Sequence, residues 1–355
     1  MNNIESIREK LCERGLDALL LLTEQNIRYA AGFLISDGAV LVTRQFAWMF
    51  TDSRYIEAAR AHAEGVELQL HGAGRSLTGC IKAALEKSGC EKVGAEERGV
   101  PYGRWQELEK SLGCELVPAG EILGELRAVK QEYEVRSIVA AQRIAETALD
   151  EVLGIIRPGI TEREIAAELT YRMMLHGGEG NSFDPICVTG AKSSMPHGVP
   201  GDAAVKAGDF VTMDFGCLKN GYCSDMTRTV AVGYADDEMK KVYDTVLRAQ
   251  LAGIEAARGG VPGAEIHSAA AKVITEAGYG EYFGHGFGHS LGLDIHEKPN
   301  ASPLNKNPMP AGAVISAEPG IYIPGKFGVR IEDMLYLTNE GCVNLTKAPK
   351  HLMIL

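Results

Sequence analysis

The sequence predicts an α/β (α+β) chain of two domains, and three observations carry that prediction. At 355 residues the chain exceeds the usual span of a single hydrophobic core. Helix and strand patterns alternate up to about residue 125, where they give way to one long amphipathic helix opening at Glu132. Beyond it, helix pairs near 132–176 and 236–277 each precede a strand-rich stretch, which hints at an internal duplication without a residue-level repeat. The boundary is expected between 123 and 131, giving domains 1–126 and 127–355.

In the first domain a helix over 4–14 stops at Gly15 and leads into the apolar strand 18–22. A short helix over 24–31 stops at Gly32. Strands 39–43 and 48–51 read as a pair, and Ser53 is placed to cap a helix running to about 62. Further strands are expected at 66–70, 92–95 and 115–117, with helices near 76–87 and 103–112, which makes a mixed sheet. His62 and His71 stand alone there and read as surface or satisfied core residues.

In the second domain the helix from Glu132 carries Ile138, Ile144, Leu149 and Leu153 and stops at Arg157-Pro158-Gly159. Thr161 and Glu164 form a capping box for a helix to about 176. A strand at 186–188 and a loop over 193–201 holding His197 follow. Residues 211–230 read as a β-hairpin turned by Asn220-Gly221, the pair that suits a type I′ turn. That turn sets Lys219 opposite Tyr222 and Asp214 opposite Thr227. Asp225 then projects from the same face as Asp214, as its diagonal neighbour. Two carboxylates this close repel unless a proton or a cation lies between them. Helices near 236–257 and 263–277 come next, then strands at 313–317, 320–323 and 329–337.

Composition narrows the function classes. The net charge of −11 and pI near 5.4, with no basic stretch, exclude a nucleic-acid or membrane-surface binder. The only apolar run near the N-terminus, 18–22, is too short for a signal or a membrane span, and a cytoplasmic protein is expected. The eight cysteines include no Cys-x-x-Cys pair and read as reduced thiols. Cys217 and Cys223 flank the hairpin, but oxygen-rich surroundings suit hard cations better than thiolate-seeking ones.

His285, His289 and His296 crowd one glycine-rich stretch. Its four glycines, Gly284, Gly286, Gly288 and Gly292, argue against a helix and so against the helical zinc-protease pattern. A glycine-rich path lets the backbone pass close to a ligand while the imidazoles point inward. Glu318 ends a strand, and Glu332 shares a strand face with Arg330 while Val329 and Ile331 share the other. Alone, either glutamate reads equally well as an edge residue, an ion-pair partner or a ligand. With Asp214, Asp225 and a histidine they make an oxygen-rich set for two cations, which two-metal hydrolysis holds ~3.5–4 Å apart.

The ordered set Asp214, Asp225, His289, Glu318 and Glu332 resembles the dinuclear centre of the pita-bread metallopeptidases, which include methionine aminopeptidase, aminopeptidase P and prolidase. The first domain, with Asn26-Ile27-Arg28-Tyr29, Thr51-Asp52-Ser53-Arg54-Tyr55 and Leu126-Arg127-Ala128-Val129-Lys130, resembles the N-terminal domain of aminopeptidase P, prolidase and creatinase. The resemblance thus implies a creatinase-like α/β domain followed by a pita-bread domain with pseudo-twofold αβ halves. It points to the proline-specific branch, because methionine aminopeptidases usually lack this first domain and a histidine matching His285. Creatinase does not keep the ligand set. His197, in Met195-Pro196-His197-Gly198, matches the substrate-binding histidine of that branch.

The resemblance implies that Asp214 chelates one metal, His289 and Glu318 bind the other, and Asp225 and Glu332 bridge. Two divalent cations are expected, manganese first, with cobalt, zinc or iron as alternatives. Glu318 would relay the proton of an attacking water, and His197 and His296 would hold the substrate carbonyl or its oxyanion. His285 would line the proline side, and Arg330 would orient a bridging carboxylate. Phe183 reads as a core residue rather than part of a proline pocket. The activity expected first is that of an Xaa-Pro aminopeptidase acting on a small peptide with proline second, in a homodimer. The alternatives are an Xaa-Pro dipeptidase with the same mechanism, a catalytically silent peptide- or protein-binding module, and amidinohydrolase chemistry on creatine.

Overall fold

The computed structural model describes residues 2–355, and the chain divides into two units, Met1–Arg127 and Ala128–Leu355. In the first unit the apolar strand Ala18–Leu21 lies fully buried inside a mixed six-stranded sheet. It pairs antiparallel with Ala39–Thr43 and parallel with Lys92–Ala95. The helix expected from Ser53 begins only at Ile56. Asp52 causes the delay: its carboxylate takes the Arg54 amide at 2.8 Å and its carbonyl takes the Ile56 amide at 3.1 Å, so a turn precedes the helix. A helix over Gly120–Ala128, not among the expected elements, runs through the end of this unit.

The second unit contains two constructions of the same kind, each a pair of helices packed on a sheet. Helices Glu132–Leu153 and Glu162–Leu175 lie on the sheet formed by Ile186–Thr189, Phe210–Phe215 and Met226–Ala231. Leu149, Ile165, Leu169, Met213, Phe215 and Val230 make that core. Helices Asp237–Ala256 and Gly263–Glu276 lie on a five-stranded sheet, over a core holding Phe210, Val246, Ile266, Phe287, Ile315 and Leu335. Each such buried side chain contributes about 1.5–3 kcal/mol. The Thr161 capping box is present, with Thr161 Oγ1 accepting from the Glu164 amide at 3.2 Å. Among the described residues no helix is long and apolar enough to cross a membrane.

The hairpin keeps the expected register. Lys219 faces Tyr222 and Asp214 faces Thr227. Both turn residues take positive φ, 51° at Asn220 and 74° at Gly221. A β-branched residue at 221 would carry the left-handed backbone penalty, so Gly221→Val should cost about 1–2 kcal/mol in urea denaturation. A cost near zero would show that the turn does not hold the hairpin.

The strand expected over 329–337 is two strands in different sheets. Phe327–Arg330 pairs with Gly320–Ile323, whereas Asp333–Leu337 pairs with Val314–Ala317. The ladder breaks at Ile331 and Glu332, where the Glu332 amide turns to the carbonyl of Thr227 at 3.1 Å. Alternation of faces survives the break, because Val329 and Ile331 remain in the core while Arg330 and Glu332 face the cavity described next.

Candidate metal centre

One cavity of about 560 Å³ collects every site residue named from the sequence: Asp214, Asp225, His197, His285, His289, His296, Glu318, Arg330 and Glu332 all line it. The hairpin supplies the two aspartates, the stretch from His285 to His296 three imidazoles and the loop at Pro196–Pro200 a fourth, His197, and the ends of strands Val314–Ala317 and Phe327–Arg330 the glutamates. Phe183 also lines this cavity and is only half-buried, so it is a wall residue rather than a core one.

The carboxylates crowd one another. Asp225, Glu332 and His289 offer ligand atoms lying within 4.8 Å of one another. His289 Nε2 is 3.3 Å from Glu318 Oε1 and 3.6 Å from Asp225 Oδ2. Burial, then the neighbouring carboxylates, push Asp225 and Glu332 well above the usual carboxylate range. Burial also raises Glu318, against the pull of His285 and Arg330. Arg330 is the one Lys or Arg side chain among the lining residues. Three buried carboxylates and the partly buried Glu318 against one guanidinium leave an excess of negative charge in a low-dielectric site.

Two further observations say what would relieve it. Asp214 Oδ1 and Glu332 Oε1 are buried and accept no hydrogen bond among the described residues, an arrangement that costs free energy unless something binds them. His289 Nδ1 lies 3.2 Å from the Ser290 carbonyl. A ring proton held there leaves the Nε2 lone pair facing the carboxylates, as a metal-ligating imidazole requires. The donor set of carboxylates and one imidazole therefore fits divalent cations. The cysteines do not belong to it: Cys217 and Cys223 are buried free thiols, and burial pushes Cys217 up to about 11 and Cys223 higher still.

Arg330 lies directly against a carboxylate other than that of Glu332, its neighbour on the strand face. Its Nη2 pairs with Asp214 rather than Glu332. It reaches Glu332 only through Thr227, whose Oγ1 accepts from Arg330 Nε at 3.1 Å and donates to Glu332 Oε2 at 2.7 Å. Arg330 Nη1 also donates to the Tyr322 hydroxyl at 2.9 Å. With its oxygen so engaged, Tyr322 gives its own proton to His285 Nε2, 2.9 Å away, and His285 Nδ1 turns to the Gly286 carbonyl at 2.9 Å. Burial pushes His285 down, consistent with this neutral tautomer.

Thr227, Tyr322 and Ser316 escaped the sequence reading. Ser316 Oγ accepts from the His289 amide at 3.0 Å and donates to Glu318 Oε1 at 2.8 Å. Two of the three left a signal. Thr227 stands opposite Asp214 in the hairpin register, and Ser316 lies two residues before Glu318 on the same strand face. Tyr322 left none without knowledge of the second hairpin, Gly320–Ile323 with Phe327–Arg330.

Comparison with known proteins agrees with this geometry. Residues 136–339 match the model of Metallopeptidase family M24, and residues 3–129 match the Creatinase/Prolidase N-terminal domain. The chain is 35% identical over 352 residues to an Xaa-Pro dipeptidase of Pyrococcus horikoshii, covering 99% of this chain and 98% of that one. Among solved structures it resembles an Xaa-Pro dipeptidase from Bacillus anthracis, at 39% identity and a TM-score of 0.95, with 99% of each chain covered. It also resembles an X-Pro aminopeptidase from Thermotoga maritima, at 35% identity and a TM-score of 0.94, with 100% of each chain covered. With a creatinase-like N-terminal domain, a pita-bread second domain and a carboxylate-rich site that fits divalent cations, the chain belongs to metallopeptidase family M24 and is a metallo-exopeptidase.

Proposed function

We propose that this protein is an Xaa-Pro dipeptidase whose Asp214, Asp225, His289, Glu318 and Glu332 hold two divalent cations, manganese first. The observation that carries the reading is the pair of buried carboxylate oxygens on Asp214 and Glu332 without a hydrogen-bond partner among the described residues, in the cavity that His289 also lines. The names of relatives along the full chain favour this reading over the Xaa-Pro aminopeptidase that the sequence put first.

Bound cations would lower the pKa of a shared water and supply a nucleophile near neutral pH. The residues of the chain do the rest. Glu318 accepts a proton at its carboxylate and passes it to the leaving proline nitrogen. His197 and His296, both exposed on the cavity wall, hold the substrate carbonyl and steady its developing oxyanion. Arg330 fixes Asp214 directly and Glu332 through Thr227, so both carboxylates keep one orientation. His285, its tautomer set by Tyr322 and the Gly286 carbonyl, offers a ring face to the proline side. A homodimer is proposed with this function and is checked by sedimentation velocity.

One observation favours the aminopeptidase as a second reading. The free carboxylate of a dipeptide seeks a cation, yet Arg330 is committed to Asp214, and the wall also presents uncharged Asn300 and Ser302. Protein stripped with a chelator should lose turnover and regain it with Mn2+. If kcat/KM for Ala-Pro then exceeds that for Ala-Pro-Ala tenfold or more, the dipeptidase reading holds, and the reverse ratio selects the aminopeptidase. No hydrolysis of either peptide, with Mn2+ bound, would leave a silent binding module.

A further inference from the structure

Lys130 takes no part in the site described above, yet it is the most deeply buried lysine ammonium near it. Its side chain is 1% exposed. The ammonium donates to Glu297 Oε2 at 3.0 Å and to Ser290 Oγ at 3.1 Å. Ser290 and Glu297 are register partners across strands Gly288–Ser290 and Glu297–Ala301, and each directly follows a histidine of the site, His289 and His296. One cation thus closes both ends of the 290–297 loop.

The clasp is itself anchored. The Lys130 amide donates to the Gly312 carbonyl at 2.8 Å, and Ser290 Oγ donates to the Val314 carbonyl at 2.8 Å. Glu297 Oε1 accepts the Asp294 amide at 3.1 Å. Inside the loop, Gly292 passes so near that a Cβ there would meet the Glu297 carboxylate at 2.8–3.0 Å. The Gly292 carbonyl accepts the amide of Cys223 at 2.7 Å, two residues before Asp225. In the cavity the His289 and His296 ring centroids lie 4.3 Å apart at 61°.

A buried ion pair adds little stability over an apolar pair of the same volume. Its consequence here is geometric. We infer that Lys130 is a positioning residue, whose ammonium clasps Ser290 and Glu297 and thereby sets the separation and angle of His289 and His296. The inference rests on the reading of His289 as a metal ligand and His296 as a substrate-facing group.

The test uses the full-length protein with Co2+ as a spectroscopic probe and Mn2+ for turnover. Lys130→Met alone would strand the Glu297 charge, so its companion is the double variant Lys130→Met/Glu297→Gln, which removes both charges at similar volume. The double variant is expected to fold, by circular dichroism and a thermal midpoint close to the parent. It should shift the visible Co2+ bands, raise the Co2+ half-saturation about tenfold and lower kcat on Ala-Pro about tenfold, with KM within about threefold. Lys130→Arg should recover part of each loss. A folded double variant with the parent's Co2+ spectrum, affinity and kcat overturns the inference. So does a double variant that cannot fold, since the pair would then serve the fold itself. Parent protein that binds Co2+ but cleaves no Xaa-Pro bond would sink the peptidase reading while leaving the spectroscopic test of Lys130 intact.

Discussion

Glu318→Gln should lower kcat/KM on an Xaa-Pro dipeptide by about 10²–10⁴-fold, the range expected for removing a general acid–base group. The amide keeps the shape of the carboxyl and can still accept from Ser316, so the loss comes from the missing charge, as ligand and proton relay, rather than from packing. Stability should move the other way or not at all. Glu318 is one of the charges that crowd Asp225 and Glu332, and neutralising it relieves that repulsion in the metal-free protein. Steady-state kinetics on Mn2+-loaded protein, paired with urea denaturation of the stripped protein, reads both signs. A loss of less than about fivefold would remove Glu318 from the chemistry.

Arg228→Met should be the most destabilising single change, by about 3–5 kcal/mol in urea denaturation. Arg228 and Asp333 pair at 2.8 Å with side chains each 1% exposed, so solvent screening does not discount the pair. All five N–H donors of the guanidinium are used. Besides Asp333 they serve the carbonyls of Thr227, Glu332, Ala348 and Pro349. Methionine fills the space but leaves the buried carbonyls of Thr227 and Glu332, the part-buried ones of Ala348 and Pro349, and the Asp333 carboxylate without this donor. Arg228→Lys should recover only part of the loss, because an ammonium has three donors and no planar fork. A change below about 1 kcal/mol for Arg228→Met would show that the network is replaceable by water.

The difference between these two residues shows how far reading the chain can go. Glu318 was nameable from the sequence because a carboxylate at a strand end, in order with two aspartates and a histidine-rich stretch, makes chemical sense as a ligand. Arg228 reads as one more polar position in an alternating strand, and its importance arises only where the C-terminal segment folds over it. The Asp214–Thr227 register was legible because the Asn220-Gly221 turn determines the pairing of the whole hairpin. The strand break at Ile331–Glu332 was not, because apolar alternation continues through it and only the meeting of two sheets divides it.

By itself, then, the sequence determined most of the helices, the Thr161 cap, the hairpin register and which candidate ligands line one cavity. These depend on backbone preferences and on side-chain spacing, which act between near neighbours. Only the tertiary structure decided that Arg330 turns to Asp214, that Tyr322 meets His285, and that Lys130 clasps the histidine loop. Each of those pairings depends on which charged and polar groups lose water together, and desolvation is a property of the packed interior that no stretch of chain possesses alone.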